Sequence, residues 1–390
     1  MTQMVMDFLK PETQWAPPTS FPDLTNQKEI AIDLETCDPW LRSHGPGWAC
    51  KDRGHIIGIA IATEGWKGYF PVAKIFHNAQ YDVGWLKAEG YTINGEIHDT
   101  MMAAPLLNEN EYSYSLNSLG KMYLGEVKDE TMLTEAAQIF GVDPKSEMYK
   151  LAPEYVGMYA EQDADLTYRL WQILKRGISE ENITDIYNLE RGLLPVLIDM
   201  RMKGVRIDID KAQQVKKQLK KDEDKIIKEI KNWYGIAPDL WAAQSLAQVF
   251  DRAGLDYPKT PKTQAPSFVA NWLEAHEHKL PMAIAKARKL NKARTTFIDK
   301  MILEHLVDGR IHGELHPLRS DSGGTVTGRF SCSNPNLQQV PARDPMIGNL
   351  IRSLFIPEEG KHWGCFDYSQ QEPRLTVHYS VITQQDGAEE

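Results

Sequence analysis

The stretch Ile30–Glu35, which reads Ile-Ala-Ile-Asp-Leu-Glu, alternates apolar and acidic side chains and predicts a short β-strand. Successive side chains of a strand point to opposite faces, so the isoleucines and the leucine share one face, while Asp33 and Glu35 share the other with Ala31. Two neighbouring carboxylates repel each other. Either they lie at a strand end in solvent, or they bind a hard cation such as Mg²⁺, which prefers carboxylate oxygens. Further acids at suitable spacings would favour the metal site.

The length and composition indicate a globular protein of several domains. A chain of 390 residues exceeds one ordinary core, so about two or three domains are expected. Its 42% hydrophobic and 25% charged residues are typical of soluble proteins. The four cysteines lie far apart without a CxxC pair, which argues against a zinc site or a disulfide framework and fits a reducing cytoplasm, bacterial or of a host. No run is long enough to span a membrane, and the N-terminus lacks the segments of a signal peptide.

Charge is segregated along the chain. The net charge of −10 does not by itself indicate a nucleic-acid binder, but counterion release depends on the local contact surface rather than on the sum. One segment holds five basic residues and no acid: Lys286, Arg288, Lys289, Lys292 and Arg294. The segment 211–231 holds eight lysines and four acids. Each segment is either a solvated helix face or a surface that contacts phosphate.

The first part of the chain predicts a sheet followed by helices. Residues 1–27 are rich in proline and polar residues and are expected to form a loosely held leader. Apolar runs predict strands at 29–35, 56–62, 68–72 and 74–76. Helical patterns run through much of 79–176, and a domain boundary is expected near 177–182.

The next part predicts long helices. Residues 184–234 are strongly helical, with a first apolar stripe at Ile186, Leu189, Leu193 and Leu197. Gly204 fits a helix stop, and Asp208 or Asp210 can cap the next helix. That helix carries an apolar seam at Val215, Leu219, Ile226, Ile230 and Trp233. A second helix pair is expected over 244–300, and strands are expected again at 310–315 and 363–367.

Further acids do occur at suitable spacings. Asn78 and Asp82 are separated by four residues, as are Tyr159 and Asp163, and on a helix such pairs share a face. With Asp33 and Glu35, these aspartates supply enough carboxylates for two Mg²⁺ ions. Two close metals can activate a water and stabilise the leaving oxygen of a phosphodiester. Tyr159 could orient that water, although for Tyr159 and Asp163 alone a surface helix turn remains the alternative.

Three motifs in order resemble the DEDDy class of proofreading 3′–5′ exonuclease domains, which have a ribonuclease-H-like sheet. They are Asp33-x-Glu35, His77-Asn78-x-x-x-Asp82 and Tyr159-x-x-x-Asp163. The segments 98–101 and 115–119 also resemble that family. The resemblance implies that Asp33, Glu35, Asp82 and Asp163 bind two Mg²⁺ ions, with Mn²⁺ as an alternative. It further implies that Tyr159 positions the nucleophilic water and that Asn78 helps to hold the 3′ end of a single strand.

The chain departs from this family between its third and fourth predicted strands. Family members have a helix there, whereas here Val72 is followed almost at once by Lys74. In the family's sheet those strands are about three strand spacings apart, or ~14 Å. Two or three extended residues reach only ~7–10 Å. We therefore expect shortened or shifted strands, a less covered sheet face and a weakened exonuclease.

The C-terminal half resembles family A DNA polymerases, the DNA polymerase I type, over three stretches. Residues 325–341 resemble the T-G-R-x-S…N-L-Q-x-x-P segment, and 354–357 with 367–374 resemble palm motif A in a variant similar to bacteriophage or prophage members. The resemblance implies that Asp367 binds the catalytic metals, with the Tyr368 carbonyl alongside. It also implies a role in sugar selection for Glu372, minor-groove contacts for Arg329 and Gln338, and a backbone contact for Arg352. If the partner is DNA, phosphate contact becomes the favoured interpretation of the basic segment 286–294. For 211–231, both phosphate contact and a solvated helix face stay open.

The combined interpretation is an α/β plus α chain in three parts. A ribonuclease-H-like exonuclease domain with a mixed sheet and helices covers 1–182, a helical thumb covers 183–308, and a partial palm covers 309–390. The sequence has no counterpart of the fingers helix or of the second palm aspartate, and one carboxylate cannot hold two metals. We therefore expect no polymerisation by the chain alone: a second polypeptide supplies the rest, or the gene is truncated. The alternatives are a stand-alone exonuclease with a DNA clamp and a non-catalytic DNA-binding fragment.

Overall fold

The computed structural model describes residues 11–18, 24, 27, 29–49, 54–70, 76–91, 93, 96–321, 323–342, 344–345 and 347–384. The chain divides into two compact units, Met1–Phe355 and Ile356–Glu390. The strands are β1 (Ala31–Cys37), β2 (His55–Thr63), β3 (Trp66–Phe70), β4 (Val205–Ile207), β5 (Leu306–Val307), β6 (Arg310–Ile311), β7 (Glu314–His316), β8 (Ser331–Ser333) and β9 (Phe355–Ile356). The helices are α1 (Leu41–His44), α2 (Ala79–Ala88), α3 (Thr100–Leu107), α4 (Leu116–Leu124), α5 (Thr131–Phe140), α6 (Pro153–Glu180), α7 (Thr184–Lys203), α8 (Ile209–Tyr234), α9 (Ala243–Ala253), α10 (Ala270–Ala275), α11 (Lys279–Lys292), α12 (Gly348–Arg352) and α13 (Gln371–Ile382). A π-helical segment, Ala293–Leu303, continues α11. None of the described helices combines the length and the apolar composition that a membrane span requires.

The first sheet is antiparallel, with β2 between β1 and β3. As the alternation predicts, Ile32 and Leu34 of β1 pack into a core with α2. Ala31 belongs to the opposite face, where small side chains of β1 and β2 pack against Ala160 and Ala164 of α6. Side chains this small let the helix lie close to the sheet. The acidic face of β1 therefore lies under α6 rather than at a strand end in solvent.

Residues 11–18 correct the expectation of a loosely held leader. The indole of Trp15 packs on α6 so closely that a Cβ added at Gly157 would lie 2.2 Å from it. The Trp15 Nε1–H donates to Glu161 Oε1 at 3.0 Å, and the Thr13 hydroxyl donates to the Glu154 carbonyl at 3.2 Å. The glycine thus makes the room that holds this segment on the helix.

The apolar stripe predicted for α7 is confirmed only at its C-terminal end. Leu197 is buried, whereas Ile186 and Leu189 are 51% and 61% exposed. Tyr187, Leu194 and Ile198 supply the rest of the buried face. The helix is packed through the face that meets α2 and α3, so the neighbours decide which of its apolar stripes is covered. The predicted stop is confirmed, because α7 ends at Gly204 with a positive φ of 62°.

The second core of the first unit lies among α8, α9, α11 and the π-helical segment. The seam of α8 is confirmed at Val215, Leu219, Ile226 and Ile230, whereas Trp233 is partly exposed. Asp208 is the cap of α8, because its carboxylate accepts the Lys211 N–H at 2.9 Å. The seam also contains the buried Glu223, which the apolar pattern did not reveal.

The later strands are shorter than predicted. The run 310–315 splits into β6, which pairs with β4 and β5, and β7, which pairs with β8. Between them the His312 ring bonds to the Arg201 carbonyl, Nδ1 to O at 2.7 Å. In the second unit the strand predicted at 363–367 is wrong: within the described residues this run has no regular secondary structure, and α13 follows. The division into three domains and its two boundaries stay predictions.

Candidate active site

Three elements of the first unit bring four carboxylates together. Asp33 and Glu35 lie on β1, Asp82 lies in the first turn of α2, and Asp163 lies in the middle of α6. A register shift between Glu35 and the next residue ends the regular pairing of β1 beside the acids. The Asp82 carboxylate accepts the backbone N–H of Leu34, which ties α2 to the strand. The spacing argument from the sequence therefore selected side chains that are neighbours in space.

The electrostatics of this cluster are those of buried like charges. Burial, followed by the charge of Asp163, raises the pKa of Asp33 to about 8. Burial and the neighbouring acids raise the pKa of Glu35 and of Asp82 well above the usual range. Burial also raises the pKa of Asp163, against the lowering effect of Lys128. Carboxylates in such a cluster either take up protons or are neutralised by a bound cation.

Two lysines that the sequence analysis did not single out reach this cluster. The Lys128 Nζ lies 2.5 Å from Asp163 Oδ2 and 3.2 Å from the Tyr159 hydroxyl. The Lys145 Nζ lies 3.3 Å from the same hydroxyl and pairs with Glu130 at 2.6 Å. Both ammonium groups also lie over the Tyr159 ring, 4.9 and 4.5 Å from its centroid. Burial raises the pKa of Tyr159 well above its usual value, so the hydroxyl keeps its proton.

The entrance to α2 is fixed by Asp99, which sequence analysis placed only within a family segment. Asp99 accepts the N–H groups of Asn78 and Ala79 at 3.0 and 2.8 Å and caps α3 through Met101 at 2.8 Å. Asn78 has a left-handed backbone with φ of 73°. The aspartate before an apolar helical run was a detectable capping signal, but the contact with α2 was not.

His77 lies partly buried beside this entrance. Its Nδ1 lies 2.7 Å from the Thr100 hydroxyl oxygen. Burial, and then the charge of Lys128, lowers the pKa of His77 to about 3, so the ring is neutral. A neutral ring adds no cation of its own to the carboxylate cluster.

The donor set fits a hard divalent cation in its chemistry. It consists of carboxylates, and Asp163 Oδ1 is buried without a hydrogen-bond partner among the described residues. The side chains as they stand bring no three acidic, histidine or cysteine groups to one point within the described part of the chain. The nearest cation to Asp163 is instead the Lys128 ammonium.

The Val72–Lys74 link, on which the expected weakening of the site depends, lies outside the described residues. Of the fourth predicted strand only Phe76 is described, and it forms a parallel bridge with Asp99. The weakening therefore stays a prediction.

The basic segment 286–294 is less available to phosphate than its sequence indicates. Arg288 donates to the carbonyls of Leu240 and Phe268, and Arg294 pairs with the buried Glu223 at 3.2 Å. Lys289 pairs with Glu274 and Asp344, at 3.1 and 3.8 Å. The premise that no acid neutralises this segment is thus corrected: the acids come from other elements. Lys286 and Lys292 are exposed.

The other residues assigned by resemblance to primer–template contacts lie on the surface of the first unit. Arg329 and Gln338 are exposed, and Gln338 donates to the Phe330 carbonyl at 2.9 Å. Arg352 is exposed at the end of α12. In the second unit, Asp367, Tyr368 and Glu372 are all exposed.

A buried ion pair that sequence analysis missed anchors β7 to α7. Arg201 is 2% exposed, and its Nη1 lies 3.3 Å from Glu314 Oε2. Its Nη2 donates to the Pro46 carbonyl at 3.0 Å. An arginine in a helix seam and a glutamate in a short strand carry no sequence signal that pairs them.

Comparisons with known proteins define the class. Residues 69–179 match the family model described as 3′-5′ exonuclease, and residues 209–384 match the model described as DNA polymerase family A. A DNA-directed DNA polymerase of Pseudomonas phage M6 is 34% identical over 97% of this chain and 63% of its own length. A DNA polymerase DpoZ of Acinetobacter phage SH-Ab 15497 is 30% identical over 93% of this chain and 63% of its own length. The chain thus spans just under two thirds of these phage relatives.

A solved structure has the same fold. The POL domain of Pol1 from M. smegmatis, in complex with DNA primer-template and dNTP, aligns with a TM-score of 0.67 at 21% identity over 93% of this chain and 62% of that one. The chain thus carries a segment that matches DNA polymerase family A and, ahead of it, a segment that matches the 3′-5′ exonuclease family. The predicted family and the predicted fold class, α/β plus α with a ribonuclease-H-like exonuclease domain, are confirmed. Both of these domain families are metal-dependent and usually use Mg²⁺.

Proposed function

We propose that this chain removes nucleotides from the 3′ end of single-stranded DNA at the cluster of Asp33, Glu35, Asp82 and Asp163. The observation that supports it best is the convergence of four carboxylates from β1, α2 and α6, three of them buried and Asp33 partly buried, beside the Tyr159 hydroxyl. Carboxylates buried together at a net cost in repulsion are typical of sites that bind hard cations.

Each residue has a role in this proposal. The four carboxylates would hold two Mg²⁺ ions, or Mn²⁺, which would supply an activated water and stabilise the leaving oxygen of the phosphodiester. Tyr159, which keeps its proton, donates a hydrogen bond that orients the attacking water. Asn78 binds the 3′-terminal nucleotide at the entrance of α2, and the Asp99 contacts hold that entrance in position.

The polymerase-family segment supports a second part of the proposal, which is binding of a primer–template duplex. The solved structure of the same fold is a complex with such a duplex. The exposed Lys286, Lys292 and Arg352 are suited to phosphate, and Arg329 and Gln338 to minor-groove acceptors. Asp367, with the Tyr368 carbonyl, would bind the polymerase metals, and Glu372 would select the sugar. Because two metals need more than one carboxylate, we propose that polymerisation requires metal ligands in addition to those of residues 1–390.

The exonuclease is tested with a 3′-labelled single strand in Mg²⁺. We expect slow degradation, abolished by EDTA and by Asp33→Ala, with the M6 phage relative assayed in parallel as the reference. A rate equal to that of the relative would contradict the weakening expected from the short Val72–Lys74 link. No degradation by the wild-type chain, with DNA binding intact, would favour the non-catalytic alternative.

Primer extension separates the polymerase component from a stand-alone exonuclease with a DNA clamp. The chain alone should not extend a primer, whereas co-expression with a polypeptide that carries the remaining third of the phage relatives should restore extension. That restoration should be lost in Asp367→Ala. Extension that survives Asp367→Ala, or none with the added polypeptide, would contradict the assignment of Asp367.

The scattered cysteines, free at Cys37, Cys332 and Cys365, support activity in a reducing cytoplasm.

A further inference from the structure

Lys128 stands out because its charge ends inside the carboxylate cluster. It lies in the connection between α4 and α5, and its backbone N–H donates to Asn117 Oδ1 at 2.9 Å. Its side chain is only 12% exposed, and its partner Asp163 is 5% exposed. An unconstrained lysine side chain keeps its ammonium group in water. Here the backbone anchor directs it inward.

The Lys128 ammonium acts as a counter-charge to this carboxylate cluster. It lies 2.5 Å from Asp163 Oδ2, and both side chains of this pair are largely enclosed. Lys145 differs, because its ammonium pairs with Glu130 and reaches only the Tyr159 hydroxyl. Among the described residues, Lys128 is therefore the lysine that pairs directly with one of the four acids.

We propose that Lys128 is a resident counter-cation of the exonuclease site, and that a divalent metal must displace its ammonium from Asp163 in order to bind. The inference rests on the proposed function, because it takes the four carboxylates as the metal ligands. Asp163 Oδ1 is unpartnered in the described part of the chain, but a dication on Oδ1 would lie only a few ångströms from an ammonium held on Oδ2 of the same carboxylate, and in a buried site the two charges repel strongly. Lys128 therefore stabilises the metal-free fold and weakens metal binding, so one substitution at this position should change both the stability and the metal affinity.

Metal binding and metal-free stability test this without any activity measurement. Mn²⁺ is titrated calorimetrically into the wild-type chain and into Lys128→Met and Lys128→Gln, with thermal unfolding in EDTA alongside. We expect the Mn²⁺ dissociation constant to fall about tenfold in both variants, which corresponds to ~1.4 kcal/mol. In EDTA the midpoint temperature should fall by several degrees, because Asp163 loses its partner. The glutamine keeps a hydrogen-bond donor, so it remains informative if the methionine variant fails to fold.

Two control variants distinguish the effect of a positive charge beside Asp163 from the effect of removing any positive charge from the chain. Lys128→Arg keeps a cation and should stay close to wild type in both measurements. Lys121→Met removes a charge from the exposed surface of α4 and should change neither. Equal Mn²⁺ affinity in the wild type and the Lys128 variants, or an arginine variant that behaves like the methionine one, would overturn the proposal and leave the proposed function standing. Absence of Mn²⁺ binding in every form would overturn both.

Discussion

At the scale of single residues, Asp99 controls the geometry of the candidate site without belonging to it. One carboxylate accepts N–H groups from the start of α2 and from the start of α3. Those N–H groups would otherwise lack helical partners. The position of Asn78 and, one turn later, of Asp82 thus depends on a residue that touches no proposed metal.

Replacement of Asp99 by alanine should lower the free energy of unfolding by about 2–3 kcal/mol, because it leaves buried N–H groups unpaired. Asp129→Ala is a matched control, since that aspartate also accepts a backbone N–H, from Thr131 at 3.0 Å, but on the exposed surface. The control should cost less than about 1 kcal/mol. Urea denaturation measures both, and equal losses would contradict a special role for Asp99.

Replacement of Arg294 should change the stability of the chain, whereas replacement of Lys292, two residues away, should change DNA binding. Arg294→Met removes the charged partner of the buried Glu223, which keeps only the Asn291 amide among the described residues, and should destabilise the chain by about 3 kcal/mol. Lys292→Met should leave stability unchanged within ~0.5 kcal/mol but reduce the salt dependence of duplex binding by about one unit of slope.

Chemical denaturation and DNA titrations at several salt concentrations check both residues. A lower salt slope in Arg294→Met, in protein that remains folded, would show that the guanidinium contacts phosphate after all.

At the scale of elements, small residues decide how close α6 comes to its neighbours. Alanines on both sides bring it against the sheet, and Gly157 admits the Trp15 indole. The middle of α7 provides the contrast, because nothing lies within 4 Å of a Cβ added at Gly192.

Alanine at these two helical glycines should therefore have opposite effects. Gly192→Ala should stabilise the chain by ~0.5–1 kcal/mol through helix propensity. Gly157→Ala should destabilise it by about 1 kcal/mol, because the indole must leave its position. In a Trp15→Ala background the Gly157 change should become stabilising, which thermal unfolding of the double mutant checks. A destabilising effect that persists without the indole would refute this account.

At the scale of the whole molecule, the buried side chains all belong to the first unit. Within the described residues 356–384 none is buried, and α13 has no buried residue. A unit without a core contributes little to the cooperative unfolding transition.

A chain shortened to residues 1–355 should therefore unfold within about 1–2 °C of the full chain. It should also retain the Mn²⁺ affinity of the full chain, since the four exonuclease carboxylates precede residue 180. Differential scanning calorimetry and the metal titration test both statements. A large loss of stability would mean that residues 356–390 complete the core of the first unit.

The sequence by itself determined the chemistry of the candidate site and the type of most of its elements. Period-two alternation selected the acidic face of β1, and four-residue spacing selected Asp82 and Asp163, because these are local properties of a strand and a helix. The stop at Gly204 and the cap at Asp208 are local in the same sense.

Only the tertiary structure decided which groups neutralise which. Lys128 reaches Asp163 across 35 residues and Arg294 reaches Glu223 across 71, and no local pattern encodes pairs so far apart. The exposed stripe of α7 has the same origin, because either apolar stripe satisfies helical periodicity and the packing of α2 and α3 selects one of them. Side-chain period fixes the face of an element, whereas the contacts between elements fix what that face meets.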